Sequence, residues 1–377
     1  MKNDLSNLRN QIDEIDHQIV DLYEKRMKIS EQVANYKIQT GKKVLDKERE
    51  KEKLKDLGAL ASTEYNKSGI VDLFQQIMSM SRKKQYQLLT EQGIIKKPEF
   101  KAVKELDFKN AKIVFQGIKG AYTELAMKEY FGEKCDNFHV NTWKEAMEAL
   151  KNNQADYAVF PYENSSAGIV AENFDLLVEY DNVIVGEQII KIEHSIMGTL
   201  DATLDDIKTV YSHPQAFMQC SNYMEHNKKW QKKAMKNTAM AAQKIKEDND
   251  KSKAAIASKS SAKIYGLKVL ADGVQDNKEN YTKFIIVTNK KIYNSEANKI
   301  SVCFEAPHET GSLYHMLSHL IYNNLNMDMI QSRPIKEKNW QYRFFINFEG
   351  NLSDPAVVNA LIGLEEDTKT LKILGNY

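Results

Sequence analysis

Two cations lie on or beside an apolar stripe near the beginning of the chain. The stripe consists of residues that recur every three or four positions, the spacing of one helix face: Leu5, Leu8, Ile12, Ile15, Ile19, Leu22, Ile29, Val33 and Tyr36. Arg26 occupies a position of this stripe, where a buried cation is costly unless an anion pairs with it. Lys37 follows eleven residues later, about 20° from the same face and about 16 Å along the helix. Both side chains could converge on one small ligand that lies between them.

Further polar groups face inward in the helices that follow. In LDKERE, Asp46, Arg49 and Glu50 share a helix face at positions i, i+3 and i+4. Ser81 and Gln85 replace apolar residues at two positions of a later stripe. The plainer interpretation is a helical bundle with tolerated polar interruptions and a solvated KERE face. The combination of cations, carboxylates and a Ser/Gln pair favours a binding site.

The position of Arg9 indicates how the protein assembles. It precedes Arg26 by 17 residues, so the two lie about 25 Å apart on one helix. Arg9 can therefore contact a ligand bound at Arg26 only if this Arg9 belongs to a second protomer. The spacing therefore predicts a dimer with shared sites.

In the middle of the chain, three stretches each run from a strand pattern into a helix start. They are GIKGAYTELA with Gly117, Gly120 and Thr123, PYENSSAG with Asn164 and Ser165, and SHPQA with Ser212, His213, Pro214 and Gln215. Backbone N–H groups and small hydroxyls at a helix start can bind a carboxylate. Ligands in α/β sheets bind beyond the carboxyl ends of the strands. The alternative is that these residues only form turns and helix caps.

Two further residues of this region could take part in proton transfer. Thr282, in KENYTKFIIVTN, has a local pattern that predicts only a strand. His213 is either a general acid or, since it precedes a proline at a helix start, a local hydrogen-bonding group.

The elements that carry these residues differ along the chain. Residues 1–90 have helical periodicity and no proline, and 91–110 lose this pattern and predict a linker. From 111 to 290, short apolar runs alternate with helical patterns, which predicts α/β units. Residues 298–377 predict a small β/α module. A chain of 377 residues is long enough for two or three domains.

Composition excludes several classes of protein. The formal charge of +1 favours neither a nucleic-acid nor a membrane partner. No run of about 18 apolar residues and no N-terminal signal segment is present in this sequence. The three cysteines, Cys135, Cys220 and Cys303, have neither metal-site nor disulfide-framework spacing. We therefore expect a soluble, cytoplasmic protein.

Over residues 4–88, the positions singled out above resemble the motif of the all-helical chorismate mutases. The resemblance implies a Claisen rearrangement of chorismate to prephenate in a three-helix, domain-swapped dimer. It implies the following roles: Arg9 of the partner subunit and Arg26 bind the two carboxylates, Asp46, Arg49 and Glu50 fix the ring hydroxyl and the orientation, Lys37 and Gln85 hydrogen-bond the ether oxygen, and Ser81 completes the motif. Such a reaction needs no nucleophile or base, only a held conformer and fixed donors at the oxygen that gains charge.

Over residues 111–290, the loops resemble those of prephenate dehydratase, with AAIAS, AKIYGL and NYTKF as further motifs. The resemblance implies two α/β lobes like those of periplasmic binding proteins, and loss of CO2 and water from prephenate to give phenylpyruvate. It implies that Thr282 is the catalytic acid, and it makes Asn164, Ser165, Ser212 and Gln215 plausible substrate binders. Lys283 stands where the family usually has arginine. It keeps the charge but loses the bidentate fork.

Residues 298–377 resemble the ACT domain, an α+β, ferredoxin-like module that in these dehydratases binds phenylalanine between two copies. The residues that carry the resemblance are Gly311, Ser312, Leu313, Asn326, Ser332, Arg333 and Pro334. Ser312 and Gln331 replace the family's usual Ala and Glu. His315 and His319 are four residues apart, but no third ligand supports a metal site, so we expect them to be solvated or capping.

The resulting hypothesis is a bifunctional enzyme that needs no metal or cofactor and forms a dimer or a dimer of dimers. Its substrates would be chorismate and prephenate, and L-phenylalanine would inhibit it. One alternative, motivated by Lys283 and Gln331, is a chorismate mutase whose dehydratase-like half is inactive and regulatory. Another is an amino-acid-sensing binding protein, a function that does not explain why Arg26 and Lys37 lie on the helix stripe.

Overall fold

The computed structural model describes residues 5–94, 99–336 and 338–377. These residues form two compact units, and the chain enters each of them twice. One unit consists of Met1–Phe100 and Val302–Leu371, and the other of Lys101–Ser301 and Lys372–Tyr377.

The N-terminal region is entirely helical, as predicted. Its helices are α1 (Leu5–Thr40), α2 (Lys47–Ala59) and α3 (Glu64–Glu91). Side-chain oxygens of Asp46 and Thr63 accept backbone N–H groups at the starts of α2 and α3, which are N-cap contacts. Helix α1 ends before Gly41, which takes a positive φ of 67° that favours glycine. Helix α3 packs against both α1 and α2.

The apolar stripe of α1 is exposed within the single chain from Leu5 to Tyr36. Leu5, Ile12 and Leu22 are 60%, 55% and 65% exposed. The buried residues of α1, Ser30 and Ala34, lie in the second half, where the helix packs on α3. A row of large apolar side chains in water is unfavourable, so this face is suited to packing against another surface.

Within the second unit, residues 101–294 form thirteen strands and seven α-helices, with a short 3₁₀ turn at Leu204–Asp206. The strands are β1 (Lys101–Val103), β2 (Lys112–Gln116), β3 (Asp136–Val140), β4 (Tyr157–Asn164), β5 (Gly168–Ile169), β6 (Val183–Lys191), β7 (Ser195–Gly198), β8 (Thr209–Ser212), β9 (Gln231–Ala234), β10 (Lys253–Ala257), β11 (Lys268–Ala271), β12 (Tyr281–Thr288) and β13 (Ile292–Asn294). The helices are α4 (Tyr122–Phe131), α5 (Trp143–Lys151), α6 (Ala171–Glu179), α7 (Pro214–Gln219), α8 (Ser221–His226), α9 (Thr238–Asp248) and α10 (Lys259–Tyr265).

Two lobes are built on two sheets of similar design. The first sheet has the order β3-β2-β4-β12-β6, and the second β11-β7-β10-β8-β9. In each, three parallel strands continue into two antiparallel ones. The chain crosses between the lobes twice, from β6 to β7 and from β11 to β12. The prediction of two α/β lobes is confirmed.

The predicted linker 91–110 contains more structure than expected. Strand β1 pairs in parallel with β13, with Lys101 opposite Ile292. Three residues are too few for a periodic pattern, so this pairing depends on a distant segment that the local sequence does not reveal. Residues 95–98 of this linker lie outside the described residues.

The C-terminal region has the order β-α-β-β-α-β. Its elements are β14 (Lys299–Glu305), α11 (Ser312–Ile321), β15 (Met327–Pro334), β16 (Tyr342–Glu349), α12 (Pro355–Asp367) and β17 (Thr370–Asn376). The strands follow the order β15-β16-β14-β17. Helices α11 and α12 pack together, and α12 also packs against α3.

Candidate active sites

Helices α1 and α3 join at a buried polar cluster. Arg26 Nη1 donates to Ser81 Oγ at 2.5 Å, and Gln85 Nε2 donates to Ser30 Oγ at 3.3 Å. Ser30 Oγ in turn donates to the carbonyl of Ser81 at 3.4 Å. Gln85 Oε1 is buried and has no hydrogen-bond partner among the described residues. A buried amide that is partly unsatisfied is consistent with a position that a ligand completes.

The two stripe cations lie near the carboxylates of α2. Burial lowers the pKa of Arg26, and the negative charge of Glu50 partly opposes this effect. Burial also lowers the pKa of Lys37, again opposed by Glu50 and by Asp46. Lys37 Nζ donates to the carbonyl of Val44 at 2.6 Å. Both cations are thus partly desolvated, a condition that favours binding of an anion.

The remaining predicted residues of this region differ in their surroundings. Asp46 Oδ1 accepts the backbone N–H of Arg49 at 3.1 Å, so this carboxylate also caps α2. The Arg49 side chain is exposed, and its positive charge further lowers the pKa of Lys37. Arg9 is exposed on the far part of α1 and does not join this cluster. The structure therefore brings together one group of the predicted residues: Arg26, Lys37, Asp46, Glu50, Ser81 and Gln85.

The second site is on β12, the strand between β6 and β4. Thr282 is 8% exposed and lies opposite Asn164 in the β12–β4 register. Asn164 Nδ2 donates to Thr282 Oγ1 at 2.9 Å, and Asn164 Oδ1 accepts the N–H groups of Ser166 and Ala167 at 3.0 and 2.9 Å. These two N–H groups fix which end of the amide faces Thr282. Because Thr282 Oγ1 accepts this hydrogen bond, its own proton is available to another acceptor.

A second layer of hydrogen bonds holds this pair in place. Asn280 Oδ1 accepts from Asn164 Nδ2 at 2.8 Å. The N–H of Ser165 donates to the carbonyl of Tyr281 at 2.9 Å, and the N–H of Tyr281 donates to Ser165 Oγ at the same distance. Asn280 is 1% exposed and was not identified from the sequence. Its position two residues before Thr282 was the available signal, since alternate strand residues share a face.

Lys283 has a carboxylate partner. Its Nζ lies 3.6 Å from Glu163 Oε2, and the two residues are paired across β12 and β4. Glu163 was also missed by the sequence reasoning. The pair is partly exposed, so its contribution to stability is small.

In the SHPQA loop, the hydroxyl of Ser212 already has a partner within the protein. This side chain is fully buried, and its hydroxyl donates to the carbonyl of Ile256 at 2.8 Å. The Ser212 hydroxyl proton is therefore engaged inside the second lobe, and contact between its oxygen and a substrate stays a prediction. His213 Nδ1 accepts the N–H of Gln215 at 3.2 Å, so the histidine is a local hydrogen-bonding group. Gln215 is half-buried at the start of α7.

The GIKGAYTELA loop contacts the second lobe. Ser261 Oγ donates to the carbonyl of Gly120 at 2.9 Å, and Gly120 has φ 89°. The N–H of Gly120 donates to Glu124 Oε2 at 2.5 Å. We expected free N–H groups at these helix starts. At Gly120, and at the Asn164 loop, that expectation is wrong, because carboxylate and amide oxygens of the protein already accept them.

The C-terminal region contains a cavity of about 390 Å³ beside the start of α11. It is lined by Ala306, Pro307, His308, Glu309, Thr310, Ser312, Gln341, Tyr342 and Phe344. Of the predicted effector residues, Ser312 lines this cavity, Gly311 caps α11 with φ 76°, and Leu313 is half-buried in its first turn.

The other predicted effector residues lie on or next to β15. Ser332, Arg333 and Pro334 pair with the segment of β16 that lines the cavity. Asn326 is exposed just before the opposite end of β15 and donates to Glu349 Oε1 at 3.1 Å.

We expected the two histidines of α11 to be solvated or capping, but both contact side chains of other helices. His319 is 3% exposed, and its Nε2 lies 2.8 Å from Asp367 Oδ2. His315 contacts Gln75 at 3.1 Å. Both face the packed neighbours of α11, which the spacing alone did not show. In the described ranges, no cluster of three or more His, Cys, Asp or Glu side chains is arranged to hold a metal ion.

Likewise, none of the helices that the structure describes combines the length and apolar character needed to cross a bilayer.

Fold and sites together define a multidomain enzyme for small anionic substrates, with a helical cationic site and a separate two-lobed α/β site. The chorismate mutase type II family model matches residues 8–86, and the prephenate dehydratase family model matches residues 113–292. The chain belongs to the family of bifunctional chorismate mutase/prephenate dehydratases, and both activities, an isomerase and a lyase of phenylalanine biosynthesis, are supported.

Individual relatives support the same conclusion. The bifunctional chorismate mutase/prephenate dehydratase of Buchnera aphidicola subsp. Schizaphis graminum is 35% identical over 100% of this chain and 97% of its own length. That of Escherichia coli K12 is 30% identical over 100% and 96%. The solved prephenate dehydratase of Arthrobacter aurescens in complex with L-Phe is 28% identical, with a TM-score of 0.66, over 71% of this chain and 89% of that one.

Proposed function

We propose that the rearrangement of chorismate takes place at the Arg26–Lys37–Gln85 cluster and the dehydration of prephenate at the Asn164–Thr282 pair. The proposed division of labour follows the predicted boundaries, with residues 1–90, 111–290 and 298–377 as mutase, dehydratase and regulatory domains and 91–110 as linker. The observation that supports it best is the fixed amide of Asn164, which leaves the Thr282 proton available.

In the mutase site, the ether C–O bond of chorismate breaks as a new C–C bond forms. Arg26 would bind a substrate carboxylate. Lys37 and Gln85 would donate hydrogen bonds to the ether oxygen, where negative charge develops. Asp46, Arg49 and Glu50 would orient the ring and its hydroxyl, and Ser81 would hold Arg26 in place through the hydrogen bond described above.

We propose that this site is completed in a homodimer, or a dimer of dimers, by Arg9 of the partner subunit. Arg9 is too far along α1 to reach Arg26 of its own chain, about 25 Å by helix geometry. The exposed α1 stripe supports a helical partner of matching apolar character.

In the dehydratase site, decarboxylation and loss of the ring hydroxyl would proceed together. The electron pair of the C–COO⁻ bond moves into the ring and CO2 departs, the C–OH bond breaks, and the departing oxygen takes the proton of Thr282 to leave as water. Thr282 would then regain a proton from solvent water, so one proton is consumed in each turnover. The gain of aromaticity drives this step, so a weak acid oriented by Asn164 can suffice. Ser165, Ser212, Gln215 and Lys283 would bind polar groups of prephenate.

We propose that the C-terminal region is an ACT domain that binds L-phenylalanine. The β-α-β-β-α-β order and the strand order of its sheet are those of a ferredoxin-like module, which supports this assignment. The cavity at Ser312 supports an effector the size of an amino acid. Strand β15, with Ser332–Pro334, lies at the sheet edge beside the wall of this cavity, where a second module could contribute.

Cytoplasmic location is part of the proposal, since three cysteines without framework spacing suit a reducing compartment.

One experiment tests the assignment of both sites. Purified protein is given chorismate without added metal or cofactor, and prephenate and phenylpyruvate are followed with and without L-phenylalanine. We expect conversion to phenylpyruvate in wild type, accumulation of prephenate in Thr282→Ala, and loss of chorismate consumption in Lys37→Ala. Equal phenylpyruvate formation by Thr282→Ala and wild type would refute the dehydratase assignment.

A further inference from the structure

Arg82, on helix α3, is a buried cation that the mutase assignment leaves without a role. Its side chain is 12% exposed, and one of its terminal nitrogens, Nη1, donates to Glu50 Oε2. The other, Nη2, lies 4.0 Å from Asp367 Oδ2 of α12. A planar guanidinium can hold two carboxylates at once, which a lysine cannot do with the same geometry.

The position of Arg82 on α3 explains this bridge. Ser81 and Gln85, which are four residues apart, face α1. Arg82 comes one residue after Ser81 and is rotated by about 100°, so it faces α2 and the C-terminal helices instead. Glu50 therefore interacts with cations of two helices, electrostatically with Arg26 and Lys37 of α1 and through an ion pair with Arg82 of α3.

Contacts along α3 hold α12 and α11 in place beside Arg82. The hydroxyl of Tyr86 donates to Glu366, the residue next to Asp367. Lys83 Nζ donates to the carbonyl of Ser318 at 3.1 Å and lies 3.3 Å from the ring centre of Tyr322. The same Asp367 oxygen, Oδ2, also contacts His319, as described above.

The charges indicate what Arg82 does for Glu50. Without Arg82, the Glu50 carboxylate would be drawn toward Arg26 and Lys37, whose charges also interact with it. It would then neutralise groups that are needed for the anionic substrate, and it would leave the position from which it can meet the ring hydroxyl.

We propose that Arg82 is a positioning residue for the chorismate rearrangement, which holds the Glu50 carboxylate in place and ties it through Asp367 to the C-terminal helices. The inference rests on the proposed assignment of Glu50 to the chorismate site. It adds a residue outside that site, and it implies that the C-terminal region helps to hold residues of the mutase site in place.

A double-mutant cycle on the full-length protein tests this role. The variants are Arg82→Gln, Glu50→Gln and the two combined, with kcat and KM for chorismate measured for each. Arg82→Gln should lower kcat/KM on the order of 10- to 100-fold, the cost of a misplaced contact group. In the Glu50→Gln background the same change should have almost no further effect, because the residue through which Arg82 acts is already altered.

Three further measurements separate positioning from general damage. Lys84→Gln removes another α3 cation, one that pairs with Glu31 at 3.4 Å on a more exposed face, and should leave chorismate kinetics unchanged. Dehydration of supplied prephenate should be unchanged in every variant. Asp367→Asn should give a smaller loss of kcat/KM than Arg82→Gln. If Arg82→Gln does not fold, the cycle is run with Arg82→Lys, which keeps the charge and should lose less activity.

The outcomes are distinct. Wild-type kcat/KM in Arg82→Gln, or a loss that adds in full to that of Glu50→Gln, overturns the positioning role. Unchanged kinetics in Asp367→Asn overturn the tie to the C-terminal helices. If Glu50→Gln itself rearranges chorismate normally, the proposed assignment of Glu50 fails instead.

Discussion

Replacing Thr282 by alanine separates catalysis from stability at the dehydratase site. The change removes one hydroxyl and one methyl group from a side chain that is 8% exposed. Asn164 Nδ2, which loses an acceptor, keeps the side-chain oxygen of Asn280 at 2.8 Å. A hydrogen bond contributes about 1 kcal/mol net and a buried methyl about 0.8 kcal/mol, so the cost in stability should be about 2 kcal/mol. A domain with a typical unfolding free energy of about 5–15 kcal/mol remains folded after such a loss.

The effect on catalysis should be far larger. A positioned general acid contributes about 10²- to 10⁴-fold, which corresponds to about 3–5 kcal/mol of barrier. We therefore expect kcat for supplied prephenate to fall by at least about 100-fold in Thr282→Ala. Thr282→Ser, which retains the hydroxyl, should keep most of the activity. Rearrangement of chorismate should be unchanged in both variants, because Thr282 is in the other unit.

Thr288 on the same strand provides a matched control. It is fully buried, and its hydroxyl donates to the carbonyl of Asp156 at 2.8 Å. Thr288→Ala should therefore lose stability comparable to Thr282→Ala but retain dehydratase activity. Phenylpyruvate formation and urea unfolding are measured on all variants. Near-wild-type kcat in Thr282→Ala, or an equal loss in Thr288→Ala, would refute the proposed acid.

Three other predictions follow from the described geometry. Asn164→Asp should lower dehydratase kcat as Thr282→Ala does, since a carboxylate still accepts the loop N–H groups but cannot donate to Thr282; normal turnover would contradict this. Gly120→Ala should destabilise the protein by about 2 kcal/mol in urea unfolding, because φ is 89° and a Cβ would lie 2.9 Å from Ser261 Oγ. Gly132→Ala, with φ 93° but open space, should cost less. Burial lowers the pKa of Lys83 to about 7, so the folded state loses its proton before the unfolded state does. Stability should therefore rise with pH above about 7, by at most about 1.4 kcal/mol per pH unit, until the unfolded lysine also deprotonates. Lys83→Met should remove this increase of stability with pH in denaturant titrations between pH 7 and 9. If the increase persists in the variant, another titrating group causes it.

Local sequence determined the elements and most of the residues with chemical potential. The helical period of residues 1–90 predicted a helical region because every third or fourth side chain must share a face. It placed Arg26, Ser81 and Gln85 on inward faces for the same reason. The alternation of apolar runs and helical patterns predicted α/β units, and the resemblance to prephenate dehydratase implied two lobes. Both inferences depend only on neighbours within a few turns or one strand.

Tertiary structure decided which of these residues meet and which groups remain available. The amide of Asn164 and the hydroxyl of Thr282 are 118 residues apart and are joined by the register of β12 on β4. Ser212 has the same residue type as a substrate-binding serine, but a carbonyl from β10 occupies its hydroxyl. Arg82 resembles any surface arginine until α2 and α12 place two carboxylates beside it.

The physical reason is the range of the interactions involved. Helix and strand periodicity arise from backbone geometry, which each short segment carries by itself. Hydrogen-bond satisfaction, desolvation and charge pairing depend on atoms that distant segments bring together, and the energies of these terms exist only after the chain has folded. For this protein, the sequence therefore determined the candidates, and the packing of β12 on β4 and of α3 on α2 and α12 decided their partners.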